Sequence, residues 1–237
     1  DILATDLSAI GGKTGGVVTA ANAINITGSE TEVKAALVDT DTLVVAEAAT
    51  VVISGNPSIT NLNSIAAKTN GAVTATLAAT DATTLSNIDT ASTDIITATI
   101  NDAEDTDIAA TVLSGIGGKT AGVVTAANAI NITGTTAQIK AALVTADTLV
   151  VATTAKAAIS DGVVDILATD LSAIGGKTGG VVTAANAINI TGTTAQIKAA
   201  LVTAETLVVA GAATAAISDG VVDILATDLS AIGGKTA

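Results

Sequence analysis

The chain has no cysteine, histidine, methionine, arginine or aromatic residue among its 237 positions. Without His, Cys and Met, the ligands of zinc, haem, iron–sulfur and copper centres are missing. Ser-His-Asp and Cys-His triads cannot be assembled. Chemistry is left to Asp, Glu, Lys, Ser and Thr. A carboxylate pair hydrolyses glycosides in a cleft, but such clefts are usually lined by aromatics, and none exist here. These absences argue against an enzyme and against a cofactor.

The missing aromatics also constrain the core. It must consist of Ala, Val, Ile, Leu and Thr methyls, within a chain that is 49% hydrophobic. A single globular core of this size normally uses Phe, Tyr or Trp to fill irregular space. A thin coil interior takes branched aliphatics. The abundance of Val, Ile and Leu argues against disorder. Every apolar run is broken well before the ~20 residues that a spanning helix needs, so no membrane insertion is expected. Nine basic and 22 acidic residues give a formal charge of −13. That sign, with no stacking aromatics, disfavours nucleic acid and anionic lipid. The absent side chains include the oxidisable ones, which suits an extracellular or cell-surface location.

What is present is a repeat. Residues 123–152 recur at 181–210 with one change, Asp147 to Glu205. The segment DLSAIGGKT occurs at 6–14, 170–178 and 228–236, with weaker copies at 111–120 and 59–69. A second marker, INITG plus an amphipathic stretch, occurs at 24–37, 130–143 and 188–201; TLAATDATTLSNI (76–88) takes its place in a drifted copy. The chain divides into modules at 1–58, 59–106, 107–164, 165–222 and 223–237. The expected architecture is one continuous solenoid over 1–237, with 58-residue double modules made of two coils of about 29 residues. Each coil reads as a short helical segment followed by short parallel β-strands around an aliphatic core.

Local signals support that plan. Leu167, Leu171 and Ile174 stand at i, i+4 and i+7, a helix-facing spacing. Thr135 or Thr136 is placed to cap one helix, and Thr169 or Asp170 the other. Gly175 and Gly176 are expected to stop the helix in a left-handed conformation. Asn128 and Asn186 stand in turns where asparagine tolerates unusual backbone angles. Val/Ile/Thr runs such as TLVVA and GVVTA read as strands.

Five motifs bear on function. The GGKT corner is like the end of a phosphate-binding loop, but Leu stands where the leading Gly belongs and the motif follows a helix instead of preceding one. It reads as a corner turn. Asp102, Glu104, Asp105 and Asp107 form the densest acidic cluster and are the candidate calcium ligands; the GGxGxD calcium nonapeptide is absent, which favours a solvated acidic loop. A ranked-threonine face for ice is not obvious, because GVVTA supplies one outward Thr per strand. The NIT triplets at Asn25, Asn131 and Asn189 fit glycosylation acceptors but lie in a buried-looking repeat. Repeated lysines near repeated acids permit an isopeptide crosslink, with a solvated lysine ladder as the default.

The stretches ATDLSAIGGKTGGVVTA and INITGTTAQIKAALV resemble the tandem repeats of giant extracellular surface proteins of cyanobacteria and some proteobacteria. The resemblance covers most of the chain and departs most at 76–106. It implies an extracellular location and a scaffolding role, and it transfers no functional residues. The expected function is a structural filament, sheath, stalk or adhesin shaft whose partner is another copy of itself, end to end or laterally. The alternatives are a surface that binds ice, mineral or polysaccharide, and the repeat region of a larger secreted enzyme or toxin. Residues 1–14 recur as 223–236, so the chain begins and stops in mid-module. That phase is expected of a window from a longer protein or of a subunit that stacks end to end.

Overall fold

The structure, a computed structural model, describes residues 1–41, 44–148, 150–206 and 208–237. It falls into two compact units, Asp1–Ile100 with Gly115–Val124, and Asn101–Ser114 with Thr125–Ala237. The first contains strands β1 (Ile2–Leu3), β2 (Val18–Thr19), β3 (Asn25–Ser29), β4 (Val44–Val45), β5 (Thr50–Ser54), β6 (Val73–Thr76) and β7 (Ile95–Ile100). Its helices are α1 (Ala4–Gly11), α2 (Glu30–Leu37), α3 (Ile59–Ala66) and α4 (Ala82–Leu85). Helix α5 (Ala110–Gly117) and strand β9 (Val124–Ala126) straddle the division of the chain. The second unit contains β8 (Asp107–Ala109), β10 (Asn131–Gly134), β11 (Val150–Val151), β12 (Lys156–Ile159) and β13 (Asp165–Leu167). It continues with β14 (Val182–Ala184), β15 (Asn189–Gly192), β16 (Val208–Val209) and β17 (Thr214–Ile217). Its helices are α6 (Thr136–Leu143), α7 (Ala168–Gly175), α8 (Thr194–Leu201) and α9 (Ala226–Gly233). The class is α/β, with parallel strand pairs in several sheets.

In the second unit one sheet has the order β16-β14-β12-β10-β8 and another the order β13-β15-β17. Ile108 lies opposite Ile132, Ile132 opposite Ala157, Ala157 opposite Val182, and Val182 opposite Val208. All five side chains are buried. Ile166, Ile190 and Ala215 form the same kind of column in the second sheet. The first unit repeats the pattern with β1-β3-β5-β6-β7, where Ile2, Ile26, Val51 and Val73 line up. Strands β2 and β4 pair separately. Period-two alternation explains the columns: in NITG the Ile turns inward while Asn and Thr turn outward.

Each step along the column Ile108, Ile132, Ala157, Val182 and Val208 is shorter than the expected half-module. Copies of one segment therefore do not pair. Strands β8 (DIA) and β13 (DIL), at equivalent places in successive modules, lie in different sheets. Strands β8, β10 and β12 come from module 107–164, and β14 and β16 from module 165–222. The five-stranded sheet is thus fed by two modules.

In the second unit α-helices follow only the DIL and INITG segments, and the other rungs of the sheets carry none. The mismatch between strand spacing of ~4.8 Å and helix spacing of ~8–10 Å is relieved in this way. Helix α7 packs on α6 and α8, and α8 on α9. Thr135 caps α6 in a capping box with Gln138, as its spacing predicts. Neither Thr169 nor Asp170 caps α7. Strand β13 runs straight into that helix, the cap position falls on Leu167, and no side chain bonds the first turn. Leu167 consequently stands exposed ahead of the helix, while Leu171 and Ile174 are buried.

Gly176 ends α7 with φ −70°, a right-handed conformation. The glycine requirement lies instead at Gly175, where a Cβ would stand 2.1 Å from the Thr206 carbonyl oxygen. Asn128 and Asn186 have no positive φ either. Val150–Val151 and Val208–Val209 of the TLVVA runs are strands; Leu149 and Leu207 lie outside the described residues.

Candidate binding surface

The NIT asparagines form rungs of a polar ladder on the outer face of the strands. Asn131 Nδ2 donates to Asp107 Oδ1 at 2.6 Å. Asn189 Nδ2 donates to Asp165 Oδ1 at 2.8 Å, and its own Oδ1 accepts from Thr214 Oγ1 at 3.0 Å. Asn25 stands between Asp1 and Thr50 with the same bonds at 2.8 and 3.0 Å. Each of these amide nitrogens gives one N–H to the ladder. Beside them runs a column of Ala109, Thr133, Ala158, Thr183 and Val209, which is mixed and not a rank of threonines.

Two grooves, of ≈ 360 and ≈ 470 Å³, recur at equivalent places in successive modules. The first is lined by Thr136, Lys140, Asp161, Asp165 and Asp170, the second by Thr194, Lys198, Asp219, Asp223 and Asp228. Asp161 Oδ2 accepts from Thr136 N at 2.5 Å and from Thr136 Oγ1 at 2.8 Å. It therefore places a carboxylate at the α6 N-terminus from far downstream in the chain, where the helix dipole favours negative charge. Asp219 does the same for Thr194 at 2.5 and 2.6 Å. The Thr194 hydroxyl, and after it the backbone N–H, hold the Asp219 carboxyl below its ordinary value. Lys140 Nζ meets Asp170 Oδ1 at 2.5 Å, and Lys198 meets Asp228 at 2.5 Å. In the first unit Glu30 Oε1 accepts from Ser58 Oγ, Ser58 N and Asn61 Nδ2, and the Ser58 hydroxyl is the chief cause of its lowered pKa.

Asp161, Asp170, Asp219 and Asp228 are thus each met by a threonine or a lysine of the same groove. Each groove lysine is held by a carboxylate. The lysine–aspartate pairs that would serve a crosslink are part-exposed ion pairs, of the kind that contribute ~0–1 kcal/mol.

The acidic cluster is divided among other tasks. Asp105, at φ 62°, meets Lys156 at 2.5 Å. That contact holds the Lys156 ammonium above its ordinary value, with added attraction from Glu104. Asp107 belongs to the asparagine ladder. The Asp102 carbonyl accepts from Asn128 Nδ2 at 2.8 Å. Among the described residues no group of three or more acidic side chains is placed to hold a metal ion. No described helix is long and apolar enough to cross a membrane.

Of the corner lysines, Lys119 reaches Asp89 at 3.0 Å. Sequence reasoning missed Asp161 and Asp219 as caps. The signal was the recurrence of SDG at 160–162 and 218–220, at a constant distance after each helix-opening Thr. It also missed Asn128 and Asn186 as bridges; Asn186 Nδ2 donates to the Asp161 carbonyl at 2.7 Å. No protein-family model, curated protein or solved structure matches this chain.

Proposed function

We propose that the chain is a structural, non-catalytic solenoid that works outside the cell as a filament, sheath, stalk or adhesin shaft. The observation that carries this reading is the shared sheet: β8, β10 and β12 from one module continue into β14 and β16 of the next. Tension along such a chain is borne by strand pairs and buried aliphatic columns, not by linkers. The polar ladder and the cross-coil caps add to the same stack. The acidic surface suits solubility in cation-rich surroundings. Negative-stain microscopy of native material tests the reading. Rods or fibres on the cell surface are expected, and isotropic particles released into the cytoplasm would overturn it.

A further inference from the structure

We propose that the open edge of β13 is a docking site for an extended, lysine-bearing peptide, which joins the sheet as a further strand. The inference goes beyond the fibre reading and does not depend on it. Strand β13 lies in the middle of the second unit, with β12 before it and α7 after it. It nevertheless opens the sheet β13-β15-β17 and pairs on one side only. The groove of ≈ 360 Å³ is lined by β13 on one wall and by α6 on the other.

The backbone on that edge is unpaired. Asn189 N donates to the Val164 carbonyl at 2.9 Å, so Val164 and Ile166 turn their backbone groups toward β15. Successive residues of a strand turn these groups to opposite sides. The N–H and C=O of Asp165 and the N–H of Leu167 therefore point away from β15, and no backbone group bonds them from the other side. An edge of this kind templates another strand. In such docking the main-chain bonds supply affinity, and the flanking side chains choose the sequence.

The walls of the groove define that choice. Leu167, 56% exposed, and the α6 residues Ala137 and Ala141 give it an apolar strip. Its charges are three carboxylates, Asp161, Asp165 and Asp170, and one ammonium, Lys140. Lys140 neutralises Asp170. The bonds from Thr136 to Asp161 and from Asn189 to Asp165 are made by neutral groups and leave both negative charges in place. The groove therefore favours a cation on the incoming strand. A strand that alternates lysine with an aliphatic residue meets both demands, because alternate side chains share a face. A second copy of this chain fits poorly, since its 22 acidic residues outnumber nine basic ones.

Leu167 provides the test. Its φ of −70° and ψ of 131° suit proline, which lacks the N–H that the docked strand would use. Ile166 before it is already in a strand, as a residue preceding proline prefers. Leu167→Pro therefore keeps the fold and removes a bond from the edge. Ala137→Lys, at an exposed position on the opposite wall, keeps the fold and adds a repelling cation. The probe is a labelled hexapeptide of alternating Lys and Val, titrated with the full chain and read by fluorescence anisotropy; its counterpart of alternating Glu and Val is the control. The Lys-Val peptide is expected to bind and the Glu-Val peptide not to. Each variant is expected to weaken binding about tenfold with unchanged melting. Should Leu167→Pro melt early, Ala137→Lys decides alone. A Lys-Val peptide that does not bind, equal binding of both peptides, or full binding by the folded variants overturns the proposal, and microscopy of native material still decides the fibre reading separately.

Discussion

Two glycines with the same sequence neighbours have opposite requirements. Gly175 and Gly233 each close an ATDLSAIG helix. A Cβ on Gly175 meets the Thr206 oxygen at 2.1 Å, and one on Gly233 meets nothing within 4 Å. Gly175→Ala should cost about 1–3 kcal/mol through overpacking. Gly233→Ala should be neutral or stabilise by up to about 1 kcal/mol, because alanine loses less backbone freedom in a helix. Urea titrations of the pair check the contrast. The corner glycines are legible as helix stops, but the tight approach that demands one is not, since it depends on Thr206, far along the chain. Asp219 gives a second residue-scale outcome. Its folded pKa is depressed by Thr194, so its contribution is fully present above the ordinary aspartate value of about 3.9 and is lost as pH falls through the lower folded value. The gap in melting temperature between wild type and Asp219→Asn should therefore be widest near neutrality and close below about pH 4. A gap that is constant with pH would show that the carboxylate charge is not what caps α8.

At the scale of the element, helices with a local cap are easier to read than helices entered from a strand. T-x-x-Q at 135–138 and 193–196 is a capping box in sequence and in structure. Thr193→Ala should cost about 0.5–2 kcal/mol, read as a lower urea midpoint with unchanged slope. The ATDL helices carry no side-chain cap, so Thr169 and Asp170 mislead: Asp170 is spent on Lys140 instead. Strand interiors are legible from alternation alone. Ile132, fully buried between Ile108 and Ala157, is the central rung of its column. Ile132→Ala should cost about 2–5 kcal/mol, against a near-zero effect for Thr183→Ala on the outer face of the same sheet. Equal losses at both positions would mean that the two faces are not distinguished by burial.

For the whole molecule, the repeat length is plain in the sequence and the pairing register is not. The sequence period measures a module, whereas the step of a column measures a rung, and two rungs fall short of one module. Between modules 107–164 and 165–222 the remainder is the SDGVVDIL stretch, whose DIL strand opens the second sheet. Halving the module is tempting because its two half-units look alike; nothing local marks the extra strand as a change of sheet. The partners of Asp105 and Asp107 are illegible for a related reason, since Lys156 and Asn131 reach them from later rungs. This register makes excisions unequal. Removing residues 165–222, one whole module, brings 223–237 to the position of 165–179 and preserves every rung that remains. Its thermal transition should stay sharp, with stability reduced by one nearest-neighbour increment. Removing 165–193 deletes β13, α7, β14 and β15 together, and leaves α8 without the strand that leads into it. That chain should melt over a broader range and at a lower temperature, by about 2–4 °C for each kcal/mol lost. Equal melting of the two excisions would mean that the half-module, and not the whole module, is the unit that the sheets respect.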